Sequence, residues 1–162
     1  MQIHTEDVAF GRFHRAESGD GLPGVVLVHD VWGPSEHSAA LAADWAREGF
    51  GVLEIDLYRH LDAVAIEDVG AWIRGLSDPA IVADLEAGAN WLADDTAACR
   101  GRPVAITGVC MGGMFALLAA CLSDRFAAAA PFYGMLSYDE GMLAAEAGRD
   151  ASKKPTSPIE GA

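Results

Sequence analysis

Residues 103–122 read PVAITGVCMGGMFALLAACL, and three structural signals follow one another in that stretch. The short apolar run at 103–107 contains β-branched residues and indicates a strand that is buried on both faces. A glycine-rich turn occupies 108–113, and the run at 114–122 is so apolar that it predicts a helix packed against the sheet. A strand, a tight turn and a helix in this order form the context of a nucleophile elbow.

Cys110 stands at the centre of this turn, where a strained backbone presents the side chain above the sheet. Gly108 and Gly112 flank it and are small enough for the strand and the helix to approach closely. A helix N-terminus stabilises a thiolate, and the Met111 amide is placed to donate to a developing oxyanion. The sequence therefore predicts a cysteine nucleophile, with a buried structural cysteine as the alternative. Cys99 and Cys121 are expected to be core or incidental thiols.

A second feature is the segment HDVWG at 29–33, at the carboxyl end of the buried strand 24–29. Because ligands bind beyond the carboxyl ends of strands in open α/β sheets, this loop and the elbow should face one crevice. The Val31 amide would then complete an oxyanion hole with the amide of Met111. Asp30 either controls the protonation of the Cys110 thiol or caps the turn.

Three further residues are candidates for the substrate pocket. Trp32 lies beside the predicted oxyanion hole and is expected to form a pocket wall. Tyr58 and Arg59 follow the next buried strand, 50–55, and are expected at the rim of the crevice. His29 is predicted to be a strand-end core histidine, because its side chain is expected to point away from the thiol.

Apolar runs alternate with helical patterns along the chain, which predicts an α/β fold with a mostly parallel sheet and helices on both faces. Ser35 is expected to cap one helix, and Asp78, followed by Pro79, another. A further strand is predicted at 127–132 and a short helix at 139–147. Residues 1–148 would form one domain, and 149–162, which lack hydrophobic periodicity, a polar loop or disordered tail.

The composition excludes several classes of function. Eleven Lys and Arg stand against 24 Asp and Glu, a net charge of −13 that disfavours nucleic acid and anionic membrane surfaces as partners. Neither a membrane-spanning run nor a signal-peptide pattern is expected, which favours the cytoplasm. The three cysteines form no CxxC pair, so we expect reduced thiols and no metal site.

Five segments together resemble the dienelactone hydrolase family of small α/β-hydrolases. These segments are residues 29–33, 56–58, 84–87, 108–113 and 131–134. The resemblance implies a cysteine hydrolase that opens small-molecule ester or lactone bonds without a metal or organic cofactor. It places the nucleophile at Cys110, the oxyanion amides at Met111 and Val31, and at Asp30 the acidic residue, commonly glutamate, that governs the thiol's proton.

The sequence departs from the family pattern after the elbow. In the family, two later strands carry the aspartate and histidine of the catalytic triad, whereas no histidine follows His60 here. We therefore expect a truncated, cleaved or split chain that lacks the last strands and has weak or no esterase turnover. The strand at 127–132 would be an uncovered edge, open to a homodimer partner or a complementing C-terminal fragment. The family uses an arginine to bind a substrate carboxylate, and this arginine has no clear equivalent here, since Arg74 is nearby but displaced from its position.

Two other functions fit parts of the sequence. Class I glutamine amidotransferases also place cysteine in a GxCxG elbow, but they usually continue with His-Gln where this chain has Gly113-Met114. A non-catalytic α/β module would act through its exposed edge or its acidic surface.

Overall fold

The computed structural model describes residues 2–17 and 20–160. Six strands form one sheet: β1 (Ile3–Val8), β2 (Gly11–Ala16), β3 (Gly24–Val28), β4 (Gly51–Ile55), β5 (Val104–Val109) and β6 (Ala128–Phe132). Their order across the sheet is β1-β2-β4-β3-β5-β6. Strands β4, β3, β5 and β6 run parallel to one another, as the sequence predicts.

The hairpin of β1 and β2 adds an antiparallel edge that the sequence patterns did not predict. Strand β1 reads IHTEDV, and its four central residues are exposed. It has no apolar run and no apolar-polar alternation, which are the two patterns that mark a strand in sequence. Its pairing with β2 supplies the structure that its composition does not indicate.

Helices cover both faces of the sheet, which confirms the predicted α/β class. They are α1 (Glu36–Arg47), α2 (Val69–Gly75), α3 (Asp78–Asn90) and α4 (Met111–Leu122). Helix α1 packs on one face, against Val25 and Val52, whereas α3 and α4 pack on the other, against Val26 and Leu53. Within the two described ranges, no helix combines the length and the apolar character needed to cross a membrane.

The helix caps follow the sequence in one case and differ in the other. Ser35 caps α1, accepting a hydrogen bond from the Ser38 amide. Helix α3 is capped by Ser77, so the prediction that Asp78 is its cap is wrong. Asp78 is instead the first residue of α3, where its buried carboxylate forms an ion pair with Lys154.

The C-terminal segment packs on the body of the protein. Lys154 is buried, and its ammonium lies 5.3 Å from the Phe115 ring centroid and 4.9 Å from that of Tyr138. These contacts of Lys154 therefore attach part of the segment 149–162, which the sequence predicts to be a polar loop or disordered tail, to the rest of the protein. The helix predicted at 139–147 is absent; a single 3₁₀ turn, Gly141–Leu143, lies there. Gly141 has φ 60°, a left-handed conformation that is incompatible with an α-helix.

Strand β6 is an edge of the sheet, as expected for residues 127–132. Pro131 and Phe132 are exposed at its end. An apolar groove of about 230 Å³ runs along the same strand, between its alanines and the side chains of Trp45 and Phe50. An edge strand with one side open, beside an apolar groove, is a surface that pairs readily with another chain.

We expect the 162-residue chain to self-associate through β6. The substitution Ala129→Lys places a charge on this exposed strand. Because pairing of β6 with another chain would remove the lysine ammonium from water, the substitution should shift the protein towards monomer. Sedimentation velocity over a concentration series measures the shift. Ala147→Lys, at an exposed position in the C-terminal segment, adds the same charge and should leave the association unchanged. Wild-type protein that is monomeric at all concentrations contradicts the expectation.

Candidate active site

Cys110 connects β5 to α4 in a strained conformation. Its φ of 56° and ψ of −121° lie outside the regions that residues with a side chain normally adopt. The Cys110 amide donates to the Phe132 carbonyl at 3.1 Å, and its own carbonyl accepts from the Met114 amide at 3.1 Å. These bonds hold the backbone in place and leave the side chain half-buried, at the first turn of the helix.

Three glycines allow this turn to exist, because a side chain at any of them would collide with backbone. A Cβ at Gly108 would lie 2.4 Å from the Gly112 carbonyl oxygen, and a Cβ at Gly112 only 2.2 Å from the Val28 oxygen. At Gly113 the Phe132 oxygen would be 2.3 Å away. The helix N-terminus therefore sits directly on the ends of β3 and β6.

The loop after β3 is held by its own aspartate. Asp30 Oδ1 accepts a hydrogen bond from the Trp32 amide at 2.8 Å, which is the turn-capping role. The described residues show no hydrogen bond between this carboxylate and the Cys110 thiol. Val31 is buried, whereas the Trp32 side chain is 64% exposed. The loop thus presents an indole to solvent and folds its valine inward.

The two amides predicted to form an oxyanion hole are both without an acceptor. Met111 is the first residue of α4, so its N–H has no partner within the helix. Neither this N–H nor that of Val31 donates a hydrogen bond to any other part of residues 2–17 and 20–160. The Tyr58 hydroxyl lies 2.8 Å from the Val31 oxygen and 3.4 Å from Met111 Sδ, so both residues meet around one group.

His29 is a buried structural residue at the end of β3. Its Nδ1–H donates to the Asp30 carbonyl at 2.5 Å, and its Nε2 accepts from the Leu57 amide at 3.1 Å. Burial lowers the pKa of His29 below its usual value, against the opposing effect of the Asp30 carbonyl. The ring is therefore neutral and joins the loops that follow β3 and β4.

Tyr58 and Arg59 are both engaged with the protein itself. Tyr58 is 5% exposed, so it lies beneath the crevice and not at its rim. The Arg59 guanidinium binds the Asp84 carboxylate through two nitrogens and lies 5.2 Å from the Phe10 ring centroid. The assignment of Arg59 to the substrate pocket stays a prediction, and it requires release from Asp84. Arg74 donates to the Met142 carbonyl.

Sequence reasoning included a turn-capping role for Asp30 but missed the equivalent bond of Asp56 and the bonds of the Tyr58 hydroxyl. Asp30 and Asp56 each follow a parallel strand and each accept a hydrogen bond from the amide two residues later, at 2.8 and 2.9 Å. An aspartate at this position after a buried strand is a detectable signal for such a turn. The bonds made by the Tyr58 hydroxyl have no counterpart in the sequence pattern.

The two other thiols differ from Cys110 in their surroundings. Cys99 is buried, and burial raises its pKa to about 11. Cys121 is half-buried near the end of α4. Over the described ranges, no group of three or more His, Cys, Asp or Glu side chains is arranged to hold a metal ion.

Comparisons with known proteins identify the fold that carries this site. The family model described as the dienelactone hydrolase family matches residues 12–159. The crystal structure of a protein from Klebsiella pneumoniae subsp. pneumoniae MGH 78578, provisionally named a dienelactone hydrolase, is 25% identical with a TM-score of 0.79. The alignment covers 98% of this chain and 67% of that one.

Two more distant structures share the fold. A dienelactone hydrolase-like promiscuous phosphotriesterase from metagenomic libraries is 24% identical, with a TM-score of 0.63 over 83% of this chain and 59% of that one. Brefeldin A esterase, a bacterial homologue of human hormone-sensitive lipase, is 18% identical with a TM-score of 0.52, over 76% of this chain and 36% of that one. A search of curated proteins finds no significant match. The fold is therefore that of the α/β-hydrolases, and the chain spans about two thirds or less of the length of these structures.

Replacing Gly112 by alanine should destabilise the protein by about 3 kcal/mol or more, because the added methyl group meets backbone that cannot move freely. Its Cβ would lie 2.2 Å from the Val28 oxygen and 2.5 Å from the His29 oxygen. Denaturant unfolding measures the loss. Gly75→Ala is the matched control, since nothing lies within 4 Å of a Cβ there. It should change the unfolding free energy by less than about 1 kcal/mol; equal effects of the two substitutions contradict the proposed close approach.

The neutral state of His29 should make the protein less stable in mild acid. In the folded state the pKa of His29 lies below 6.5. As the pH falls through 6.5, His29 therefore binds a proton in the unfolded chain but stays neutral in the folded chain. This contributes a loss of at most about 1.4 kcal/mol per pH unit until the folded pKa is reached. His29→Gln should remove that part of the slope in unfolding experiments between pH 8 and pH 5. The exposed His37→Gln should keep the wild-type slope; identical slopes for all three proteins refute the assignment.

Proposed function

The chain belongs to the dienelactone hydrolase family, and on that premise we propose that it cleaves small-molecule carboxylic esters or lactones with Cys110 as its nucleophile. The observation that carries the proposal is the backbone of Cys110, which has φ 56° and ψ −121° at the first turn of α4. A strained conformation costs about 1–3 kcal/mol and persists where the surrounding structure requires it, which is common at active sites. The Val31 and Met111 amides, which we propose as the oxyanion donors, make no hydrogen bond to any described residue, and this also supports the proposal.

The chemistry follows from these positions. Cys110 Sγ attacks the carbonyl carbon of the ester, and the electron pair of the C=O bond moves to its oxygen. The amides of Val31 and Met111 donate to that oxyanion, which is usually the largest single contribution to such a reaction. The C–O bond then breaks, the alcohol leaves with a proton, and a thioester remains on Cys110. Water hydrolyses the thioester to the carboxylic acid and restores the thiol.

The second half of this reaction, hydrolysis of the thioester, needs a general base that activates water, and no hydrogen bond joins a described histidine to Cys110. His29 is buried, neutral and bonded at both ring nitrogens, and His14 is buried against Glu54. A general base contributes about 10²–10⁴-fold in rate. We propose that the chain by itself is acylated readily and deacylated slowly. The base would come from a complementing C-terminal fragment, or from a second copy, bound at the open edge of β6.

Asp30 is proposed to govern the proton of the Cys110 thiol. Its Oδ1 accepts from the Trp32 amide, and its Oδ2 makes no hydrogen bond to any described residue. A carboxylate with one oxygen fixed and the other available is able to accept a proton in a fixed direction. Trp32, 64% exposed in the same loop, is proposed as a wall of the ester-binding pocket.

The free state of all three cysteines supports a reducing compartment, and we propose the cytoplasm.

Mixing the protein with p-nitrophenyl acetate should release about one nitrophenolate per Cys110 in a rapid burst, followed by slow turnover. Mass spectrometry should find the acetyl group on Cys110. Cys110→Ala should abolish the burst, and Cys121→Ala, which removes the other half-buried thiol, should preserve it. Added imidazole should accelerate deacetylation of the folded protein more than of the denatured acetyl-protein, because it replaces the absent base.

Alkylation tests the nucleophile without any ester. Iodoacetamide at neutral pH should label Cys110 before Cys121 and Cys99, since burial raises the pKa of Cys99 to about 11. Labelling of Cys110 no faster than the other two thiols, or a burst that survives Cys110→Ala, would falsify the proposal.

A further inference from the structure

We propose that Tyr58 is a positioning residue that holds the two halves of the oxyanion hole in register. This role rests on the proposed function, because it concerns the transition state of acyl transfer to Cys110. The Tyr58 hydroxyl is the group that contacts both residues whose amides face the developing charge. It donates to the Val31 carbonyl at 2.8 Å and lies 3.4 Å from Met111 Sδ.

The ring of Tyr58 is fixed before its hydroxyl is considered. The Tyr58 amide donates to Asp56 Oδ1 at 2.9 Å, which anchors the backbone directly after β4. The ring centroid lies 4.8 Å from that of His29 and 5.7 Å from that of Trp72, which meets it edge to face. A Cβ at Gly33 would lie 3.3 Å from the ring. Packing on several sides leaves the side chain little freedom to rotate.

The hydroxyl is satisfied as donor and as acceptor. Its hydrogen goes to the Val31 oxygen, and its oxygen accepts from Trp72 Nε1 at 3.0 Å. Burial raises the pKa of Tyr58 to about 12, so the hydroxyl keeps its proton over the working range of the protein. A buried hydroxyl with two correct partners is a fixed reference point in the structure.

This bond acts on the Val31 amide through one peptide plane. The peptide group between Val31 and Trp32 is held at its oxygen by Tyr58 and at its nitrogen by Asp30 Oδ1, at 2.8 Å. With this plane fixed, rotation at Val31 is restricted, and so is the direction of the Val31 N–H. The contact with Met111 Sδ places the same hydroxyl against a buried side chain from the first turn of α4.

An oxyanion hole with two rigidly placed donors stabilises the transition state most, because the negative charge on the oxygen develops there. Loss of the Tyr58 hydroxyl should therefore slow a reaction that forms an oxyanion and spare one that does not. Alkylation by iodoacetamide meets this condition. The Cys110 sulfur displaces iodide from a saturated carbon, the C–I bond breaks as the S–C bond forms, and no oxyanion develops.

The test compares two rates on Cys110 in the wild-type chain and in Tyr58→Phe, which keeps the ring and removes the oxygen. The acylation rate with p-nitrophenyl acetate should fall by about tenfold, less than the 10²–10³-fold typical of deleting an oxyanion donor. The alkylation rate should stay within about twofold, so the ratio of the two rates should fall. Tyr138→Phe removes an equally buried hydroxyl outside the site and should leave the ratio unchanged.

Each outcome decides the matter. An unchanged ratio in Tyr58→Phe, or an equal fall in both rates, overturns the positioning role while the proposed function stands. A wild-type chain that is never acylated on Cys110 overturns the proposed function and this role with it. If Tyr58→Phe does not fold, Trp72→Phe removes the donor to the same hydroxyl and should lower the ratio by about threefold, an order-of-magnitude expectation for one neutral hydrogen bond; no change in that variant overturns the role.

Discussion

The site depends on a contact between backbone and backbone at the N-terminus of α4. Gly112 lies so close to the ends of β3 that a methyl group would approach within 2.2 Å of the Val28 oxygen. This approach forces the turn between β5 and α4 to be abrupt, and Cys110 takes the strain with φ 56°. The strain persists because α4 is locked between the sheet and its neighbours, with Met114, Phe115 and Leu118 fully buried.

The register of the sheet brings the loops together. Val28, the last residue of β3, pairs with Ile55 at the end of β4 and with Gly108 near the end of β5. The three strands therefore end at the same level of the sheet, and the loops that follow them lie at one edge. The buried His29 then ties the loop after β3 to the loop after β4, and Asp30 and Asp56 each hold their own loop. Geometry that the strands set coarsely is refined by hydrogen bonds of 2.5 to 3.1 Å.

The sequence predicts the parts of this arrangement that local patterns encode. The strand, glycine turn and apolar helix around Cys110 are recognisable because each has its own composition and length. The hairpin β1–β2 is not, because residues 4–7 are polar and β1 gains its strand structure from pairing. Arg59 illustrates a second kind of failure. Its place after β4 favours the crevice, but its partner Asp84 lies 25 residues away on α3, and only the folded chain brings them together.

The two halves of the proposed reaction, acylation and hydrolysis, depend on different parts of the sheet. The proposed nucleophile and the proposed oxyanion donors all lie at the ends of β3 and β5, so acylation would need only groups from this part of the sheet. The Cys110 amide bonds to the Phe132 carbonyl, which means that the elbow touches the end of β6 directly. Neighbouring strands lie about 4.8 Å apart, so a group at the end of a strand added beside β6 would stand within about 10 Å of β5, a gap that a long side chain or a loop can cross. A base supplied there would act on the thioester without disturbing the turn that forms it, and the exposed edge of β6 is where acylation and hydrolysis would be joined.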